Sequence, residues 1–214
     1  MVKHPTRKLF VEGGGDKNQS LQTECRRAFS TLLAKAGFEG RMPRIVACGG
    51  RSSAYDQFRT AVKDLEEADL AVLLVDSEEV VAEEASPWNH VKNRVGDGWE
   101  QPDGVSDDHL HLMVQCMEAW FLADRTAMRI FFGNGYAEDR LPPANTTIET
   151  VGKARLYEKL RAATKDTKTK GAYGKGKHAF KLLAELDPAL IRSASPWAER
   201  FFSTLDRFLG EGRS

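Results

Sequence analysis

The first half of the chain alternates between short apolar runs and longer amphipathic stretches. Three apolar runs have the length of strands, at 8–11, 43–48 and 69–76. The third is continuously apolar, which is typical of a strand buried on both faces. Between the runs, apolar residues recur at helical spacing over 18–38 and 53–68. This β-α-β-α-β order predicts an α/β fold in which helices flank both faces of a parallel sheet.

The second half of the chain predicts a polar insertion, a fourth strand and a helical tail. Residues 83–108 are polar and rich in turn formers, with one short helix expected near 88–95. Residues 109–115 alternate and then become apolar, as in a strand, and a helix is expected over 116–124. The segment 164–177 lacks apolar periodicity and is expected to be mobile or ordered by a ligand. Three helical segments make up the tail, at 151–163, 177–186 and 196–209.

Charge is divided unevenly along a chain whose formal net charge is zero. Residues 1–150 carry 17 Lys and Arg against 24 Asp and Glu, whereas residues 151–214 carry 14 against 7. The division suggests an acidic body that holds cations and a basic end that meets anions, with a solvated helical face as the alternative. We predict an α/β domain over 1–132 and a basic helical extension over 133–214, packed on the same core.

The cysteines and the apolar runs indicate the cellular compartment of the protein. Cys25, Cys48 and Cys116 are odd in number and far apart, so neither a disulfide framework nor a zinc site is indicated. Buried thiols in a reducing cytosol are expected instead. The longest apolar run, at 70–75, is too short to cross a bilayer, and the N-terminus lacks the apolar stretch of a secretory signal. We therefore expect a cytoplasmic protein without a membrane partner.

Carboxylates stand where the first and third strands are predicted to end. Glu12 follows the first apolar run, Asp76 ends the third, and Glu78 lies two residues further on. Because ligands gather beyond the carboxyl ends of parallel strands, these three side chains are expected to converge. Their mutual repulsion would need a cation, and hard carboxylate oxygens suit Mg²⁺ or Mn²⁺ better than zinc. The pattern predicts a metal site formed by these three acids.

A run of three glycines, Gly13, Gly14 and Gly15, follows the first of these acids. Glycine lets the backbone approach a ligand closely and can leave N–H groups pointing at an anion, so we expect a phosphate-binding loop. Two familiar nucleotide motifs fit less well. The third glycine of G-x-G-x-x-G is missing, and the stretch GKGKH at 174–178 lacks the hydroxyl residue of a Walker loop.

The stretch FVEGGGD, with AVLLVDSE further along, resembles the Toprim domain of topoisomerases, primases, recombination-mediator proteins and overcoming-lysogenization-defect nucleases. That domain has a strand ending in Glu-Gly, an Asp four residues after the Glu, and a later strand ending in Asp-x-Asp. Glu12, Gly13 and Asp16 match the first part. Asp76 and Glu78 stand at the later pair, with Glu in place of the second Asp.

The stretches HLMVQCMEAWFLAD and YGKGKHAFKLLAELDP are similar to the domain-of-unknown-function family forty-two seventy-six, which is akin to the RloB-type proteins. Members often stand beside ABC-type ATPases in bacterial defence loci. The resemblance implies a Mg²⁺-dependent phosphodiesterase or nuclease that acts on DNA or RNA with an ABC-type ATPase partner. A non-catalytic nucleic-acid-binding or regulatory subunit stays open because Glu78 departs from the pattern, and a primase-like nucleotidyl transferase is a third possibility. Oligomer formation also stays open.

The resemblance also implies roles for single residues. Glu12 would be a general acid/base or a metal ligand, and Asp76 and Glu78 would hold Mg²⁺. Asp16 would orient the loop or a metal-bound water. Glu118, which follows the fourth predicted strand, is a further candidate for the catalytic site, with capping of a helix start as the alternative.

Basic residues near the glycines of the tail are candidates for binding phosphate. Lys175, Lys177 and His178 lie in the GKGKH stretch, where flexible backbone would let lysines reach several phosphates. The alternative is a solvated linker. Arg51 follows the end of the second predicted strand and is a further candidate for contact with a phosphate.

Overall fold

The computed structural model describes residues 5–66 and 69–210, and a parallel β-sheet lies at its centre. The strands follow the order β2-β1-β3-β4, and every neighbouring pair is parallel. The α/β fold expected from the sequence is confirmed. The strands are β1 (Arg7–Val11), β2 (Arg44–Ala47), β3 (Leu70–Asp76) and β4 (Leu110–Met113).

The alternating side chains of β3 explain why its sequence is apolar throughout. Successive residues of a strand point to opposite faces of the sheet. Val72 and Leu74 pack into the larger core, whereas Leu73 and Val75 pack into the smaller one on the other face. All seven residues of β3 are buried, because strands flank it on both edges and helices cover both faces.

The helices divide between the two faces. On one face, α2 and α3 enclose the smaller core, whose members include Phe58 and Trp88. On the other face, α1 packs with the tail helices around a larger core that includes Phe29 and Phe201. The helices are α1 (Gln19–Leu33), α2 (Arg51–Val62), α3 (Pro87–Asn93), α4 (Arg125–Phe132), α5 (Lys153–Thr164), α6 (Lys175–Leu183), α7 (Pro188–Ala194) and α8 (Pro196–Leu209).

The predicted elements agree with the structure in kind, with differences at three places. The stretch expected to be a helix over 116–124 is a 3₁₀ helix, Met117–Ala123. The sequence analysis also missed α4 and α7, which are short. The side chains of Asp124 and Asp187 cap their N-termini.

The segment 164–177, expected to be mobile or ligand-ordered, packs against the larger core. Tyr173 is only 3% exposed. Its N–H donates to the Thr164 hydroxyl over 2.7 Å, and the Thr167 hydroxyl donates to the carbonyl of Gly171 over 3.0 Å. Hydrogen bonds between threonine side chains and the backbone therefore order this segment, which lacks apolar periodicity.

Two further expectations concern cysteines and membranes. Cys25, Cys48 and Cys116 are buried and unpaired, as expected. Across residues 5–66 and 69–210, none of the helices combines the length and apolar character that crossing a membrane requires. The proposed domain boundary at 132/133 stays a prediction, although residues from both sides of it share the larger core.

Asp124 links α4 to the tail and provides a test of this packing. It is buried, and its carboxylate accepts hydrogen bonds from the N–H groups of Ala127 (2.9 Å) and Asp187 (3.0 Å). We expect Asp124→Ala to lower the free energy of unfolding by about 2 kcal/mol, because two N–H groups lose their acceptor. Urea unfolding measures the change. Asp124→Asn keeps one acceptor and should lose less, and an alanine variant as stable as wild type would contradict the assignment.

Candidate functional site

The carboxyl ends of β1 and β3 bring three acids together. Glu12, Asp76 and Glu78 each have a carboxylate oxygen within 4.8 Å of the other two. The convergence predicted from the strand ends is therefore confirmed. It follows from the register, in which β1 and β3 pair side by side and the Glu12 N–H donates to the Leu74 carbonyl over 3.0 Å. We call these three residues the acidic cluster.

Glu12 is held in place by Asp76 at the end of β3 and by Arg51 at the start of α2. Its carboxylate accepts the Asp76 N–H over 3.1 Å and lies 3.3 Å from the Arg51 guanidinium. Burial raises the pKa of Glu12 above its usual value, and the positive charge of Arg51 acts against that rise. A raised pKa favours a carboxylate as a general acid or base.

Asp76 is the most deeply buried member of the cluster, at 3% exposure. Its Oδ1 accepts the Met117 N–H over 2.8 Å, at the start of the 3₁₀ helix that follows β4. Its Oδ2 faces two ammonium groups, those of Lys153 at 3.5 Å and Lys175 at 3.9 Å. Burial, followed by the charge of Glu12, raises the pKa of Asp76 to about 7. The two lysines only partly offset the negative charge collected here.

Glu78 reaches the cluster through an unusual backbone conformation. Its φ is +66°, in the left-handed region that costs a residue other than glycine about 1–2 kcal/mol. The Glu78 N–H donates to the carbonyl of Gln115, which also has a positive φ of +57°. The Ser77 hydroxyl accepts the Gln115 N–H over 2.7 Å and ties the two segments together. The backbone strain at Glu78 therefore lies where the Glu78 side chain turns towards Asp76.

The two lysines come from the N-termini of tail helices. Lys153 begins α5, and its ammonium lies 2.6 and 2.7 Å from the two carboxylate oxygens of Glu78. Lys175 begins α6 and lies 3.7 Å from Glu118. Burial disfavours both ammonium charges, but the neighbouring carboxylates outweigh it and raise the pKa of each lysine. Both therefore remain charged at neutral pH.

Glu118 adds a fourth carboxylate beside the cluster. It is completely buried, and its Oε1 accepts a hydrogen bond from the Tyr173 hydroxyl over 3.1 Å. Its other oxygen, Oε2, is buried without a hydrogen-bond partner among the described residues. Burial and the charge of Glu118 both raise the pKa of the Tyr173 hydroxyl, which keeps it a donor. Glu118 is neither a member of the acidic cluster nor among the residues that line the cavity beside it, and its catalytic role stays a prediction.

The glycine loop forms one wall of a cavity of about 300 Å³ that opens beside Glu12 and Asp76. The Gly13 N–H and carbonyl both pair with Gly49, at 2.8 and 2.9 Å. That N–H is therefore used inside the protein and is not free for an anion. At Gly14, where φ is +90°, a Cβ would lie 2.8 Å from Gln22 Cα. Gly13, Gly14 and Gly15 all line the cavity.

Asp16 lines the same cavity but lies outside the acidic cluster. Its carboxylate accepts the Gly50 N–H over 2.6 Å, at the residue that precedes α2. A Cβ at Gly49 would lie only 2.4 Å from Asp16 Oδ1. Asp16 therefore orients the loop by joining it to the start of α2.

Arg51 is engaged inside the protein. Its guanidinium forms two parallel hydrogen bonds to Asp97, of 2.8 and 2.6 Å, and also contacts Glu12 and the Asp76 carbonyl. The group stacks 4.6 Å above the ring of Trp99. These contacts favour a role in positioning Glu12 over the predicted contact with a phosphate.

The three basic residues of the GKGKH stretch separate in the structure. Lys175 lines the cavity, as the phosphate-binding prediction requires. The Lys177 ammonium instead donates to the Lys170 carbonyl over 3.0 Å. His178 is buried against the ring of Phe132, and burial lowers its pKa, so it is neutral at pH 7. Neither Lys177 nor His178 is among the residues that line the cavity.

Lys153 and Tyr173 are the contributors that sequence reasoning missed. Each comes from the tail and approaches the carboxyl edge of the sheet only after folding. Lys153 follows Gly152 at a helix start, as Lys175 follows Gly174. This repeated Gly-Lys pair at a helix start is a sequence signal by which both lysines could have been found.

A protein-family comparison covers almost the whole chain. The family model described as Domain of unknown function (DUF4276) matches residues 11–206. The chain belongs to this family. No curated protein and no solved structure matches it. The match includes every member of the acidic cluster and both lysines, while the likeness to Toprim and RloB-type proteins stays a resemblance.

Gly14 tests the packing of the glycine loop. We expect Gly14→Ala to lower the free energy of unfolding by more than about 2 kcal/mol, because it adds a backbone clash to the cost of a positive φ. Gly40→Ala is the matched control, since φ there is +79° but an added Cβ meets nothing within 4 Å. Urea unfolding of both variants separates the cost of the clash from the cost of the positive φ. Equal losses of unfolding free energy in the two variants would contradict the tight packing at Gly14.

The raised pKa of Asp76 predicts that its charge destabilises the metal-free fold. Stability from this group is present at low pH and is lost as pH rises from about 4 to about 7, through the folded pKa. We therefore expect Asp76→Asn to be more stable than wild type at pH 8 in EDTA, by at least about 1 kcal/mol. Thermal unfolding at pH 5 and pH 8 checks this. A variant that is less stable than wild type at pH 8 would contradict it.

Proposed function

We propose that the protein is a Mg²⁺- or Mn²⁺-dependent phosphodiesterase that acts on nucleic acid. The observation that carries the proposal is the acidic cluster itself, in which three carboxylates converge at the edge of an open cavity. In an open parallel sheet this edge is where ligands bind. The metal would be held by Glu12, Asp76 and Glu78.

The residues fit a hard divalent cation on two counts. First, the donors are carboxylate oxygens, which Mg²⁺ and Mn²⁺ prefer. Second, burial and the charge of Glu12 raise the pKa of Asp76 even with two lysines nearby, so a cation at Asp76 would stabilise its charged form. Glu118 adds a buried oxygen without a partner among the described residues. A bound divalent ion would polarise a phosphodiester and stabilise charge on the leaving oxygen.

The protein's own groups supply positioning and charge. Arg51 and the Asp76 N–H hold the Glu12 carboxylate at the cavity, where its raised pKa suits it to accept or donate a proton. The Lys175 side chain is about half exposed, so its ammonium can contact a phosphate entering from solvent. The side-chain-free wall of Gly13–Gly15 leaves room for that phosphate.

A non-catalytic nucleic-acid-binding or regulatory subunit is the second candidate, and one contact favours it. The Lys153 ammonium already pairs with both oxygens of Glu78, at 2.6 and 2.7 Å. In that arrangement a lysine takes the place that a metal would have beside Glu78. The ABC-type ATPase partner, which only the resemblance implies, belongs to either candidate as a prediction.

Cleavage assays distinguish these candidates. We expect the full chain to cleave plasmid DNA, single-stranded DNA or tRNA in Mg²⁺ or Mn²⁺ but not in EDTA. Glu12→Gln and Asp76→Asn should each lower the rate at least about 100-fold. Asp103→Asn, an exposed acid of the insertion, is the control and should leave the rate unchanged. Cleavage that survives both cluster substitutions would overturn the proposed site, and binding without cleavage by wild type would support the regulatory subunit.

Lys153 provides a separate test of the metal site. The Lys153 ammonium lies 2.6 Å from Glu78 and competes there with a metal ion. We therefore expect Lys153→Gln to increase Mn²⁺ affinity at least about fivefold, because two unit charges about 4 Å apart in water repel each other by about 1 kcal/mol. Isothermal titration calorimetry measures the affinity. Arg155→Gln removes an exposed charge from the same helix and serves as the control. Unchanged or weaker Mn²⁺ binding in Lys153→Gln would contradict a metal at Glu78.

A further inference from the structure

A second depression of about 530 Å³ lies between α1 and α6 and is closed on one side by α4. Its rim carries Arg27, Lys35, Lys170 and Lys181, and Phe131 lines its wall. We call it the α1–α6 groove. None of these five residues takes part in the acidic cluster, so the proposed metal chemistry leaves the groove unexplained.

The groove and the acidic cavity are neighbours. Phe180 lines both spaces and forms the boundary between them. At the cavity end, Leu21 of α1 lies against Gly176 of α6. Along α1, the ten steps from Leu21 to Thr31 span about 15 Å at 1.5 Å per step. A chain-like ligand with one unit at the acidic cluster would have to pass Phe180 to reach the groove.

The charge of the groove is opposite to that of the cavity. Its four basic residues face two acidic ones, Glu24 and Glu185. The Lys181 ammonium lies 3.6 Å from Glu24 on an exposed surface, where such a pair is weak. The Lys35 ammonium donates to the Ala184 carbonyl over 2.7 Å, which holds it beside the end of α6. The excess of positive charge suits a polyanion whose remaining charge is neutralised at the metal site.

The wall of the groove offers an aromatic face. Phe131 is half-buried, and the Lys170 ammonium lies 4.5 Å from the centre of its ring. Ile130, beside it on α4, is 78% exposed. Unpaired bases stack on such aromatic faces while lysine and arginine side chains follow the backbone. In a duplex the base faces are already stacked on one another, so this combination favours a single strand.

We propose that the α1–α6 groove binds single-stranded nucleic acid on one side of the phosphate that lies at the acidic cluster. The inference rests on the proposed function and adds the substrate class and the path of the strand. Arg27 and Lys181 contact backbone phosphates, and Phe131 stacks on a base. The strand continues past Phe180 into the cavity, where Lys175 meets the next phosphate.

Fluorescence anisotropy of short labelled oligonucleotides with the full chain in EDTA tests the groove without cleavage. We expect the Arg27→Ala/Lys181→Ala variant to bind single strands more weakly and with a salt slope smaller by about 1.4, or about 0.7 for each lost phosphate contact. Phe131→Ala should weaken binding about fivefold or more. Arg59→Ala/Lys63→Ala removes two basic residues at the C-terminal end of α2, on the opposite face of the sheet, and is the matched control. Thermal unfolding checks that each variant is folded.

The outcomes separate this inference from the proposed function. If wild type binds and cleaves nucleic acid but the groove variants bind as it does, the groove is excluded and the phosphodiesterase stands. Tighter binding to duplex than to single strands would also overturn the inference. If wild type neither binds nor cleaves any nucleic acid, both fail. Loss confined to the groove variants, with the α2 control unchanged, supports the proposed path.

Discussion

Negative charge gathered at the carboxyl ends of two adjacent strands is the constraint on which the rest of the site depends. Glu12 and Asp76 must lie close together because β1 and β3 pair in parallel, and Asp76 is buried. Repulsion between buried carboxylates is costly unless cations face them. The chain supplies two lysines from tail helices, and Asp76 still has a raised pKa. Burial and the charge of Glu12 cause that rise, and the proposed metal would stabilise the charged form of Asp76.

The same constraint explains why the tail is part of the site. Lys153 and Lys175 each begin a helix that packs on the larger core, so burial of apolar residues fixes where the two charges lie. Tyr173 reaches Glu118 from the segment between those helices. An acidic first part and a basic last part of the sequence thus meet at one edge of the sheet. The ion pairs of Lys153 and Lys175 join the basic last part of the sequence to acids of the first part.

The sequence analysis located the acids at the strand ends because an apolar strand, and the polar residue that ends it, can be recognised from a short stretch of sequence. The apolar run of β3 and the acids after β1 and β3 were enough to predict the acidic cluster. Contacts from distant segments carry no such signature, which is why Lys153 was missed and why Arg51 was assigned to a phosphate. The partners of Arg51, Asp97 and Trp99, lie in a polar insertion whose path depends on tertiary packing.

The position of a bound metal is the central claim, and a crystal soaked in Mn²⁺ tests it most directly through anomalous scattering. The account predicts one strong peak at coordination distance from carboxylate oxygens of Glu12 and Asp76, with the Lys153 ammonium displaced from Glu78. No peak at these carboxylates in crystals that contain Mn²⁺, with Lys153 still paired to Glu78, would contradict it.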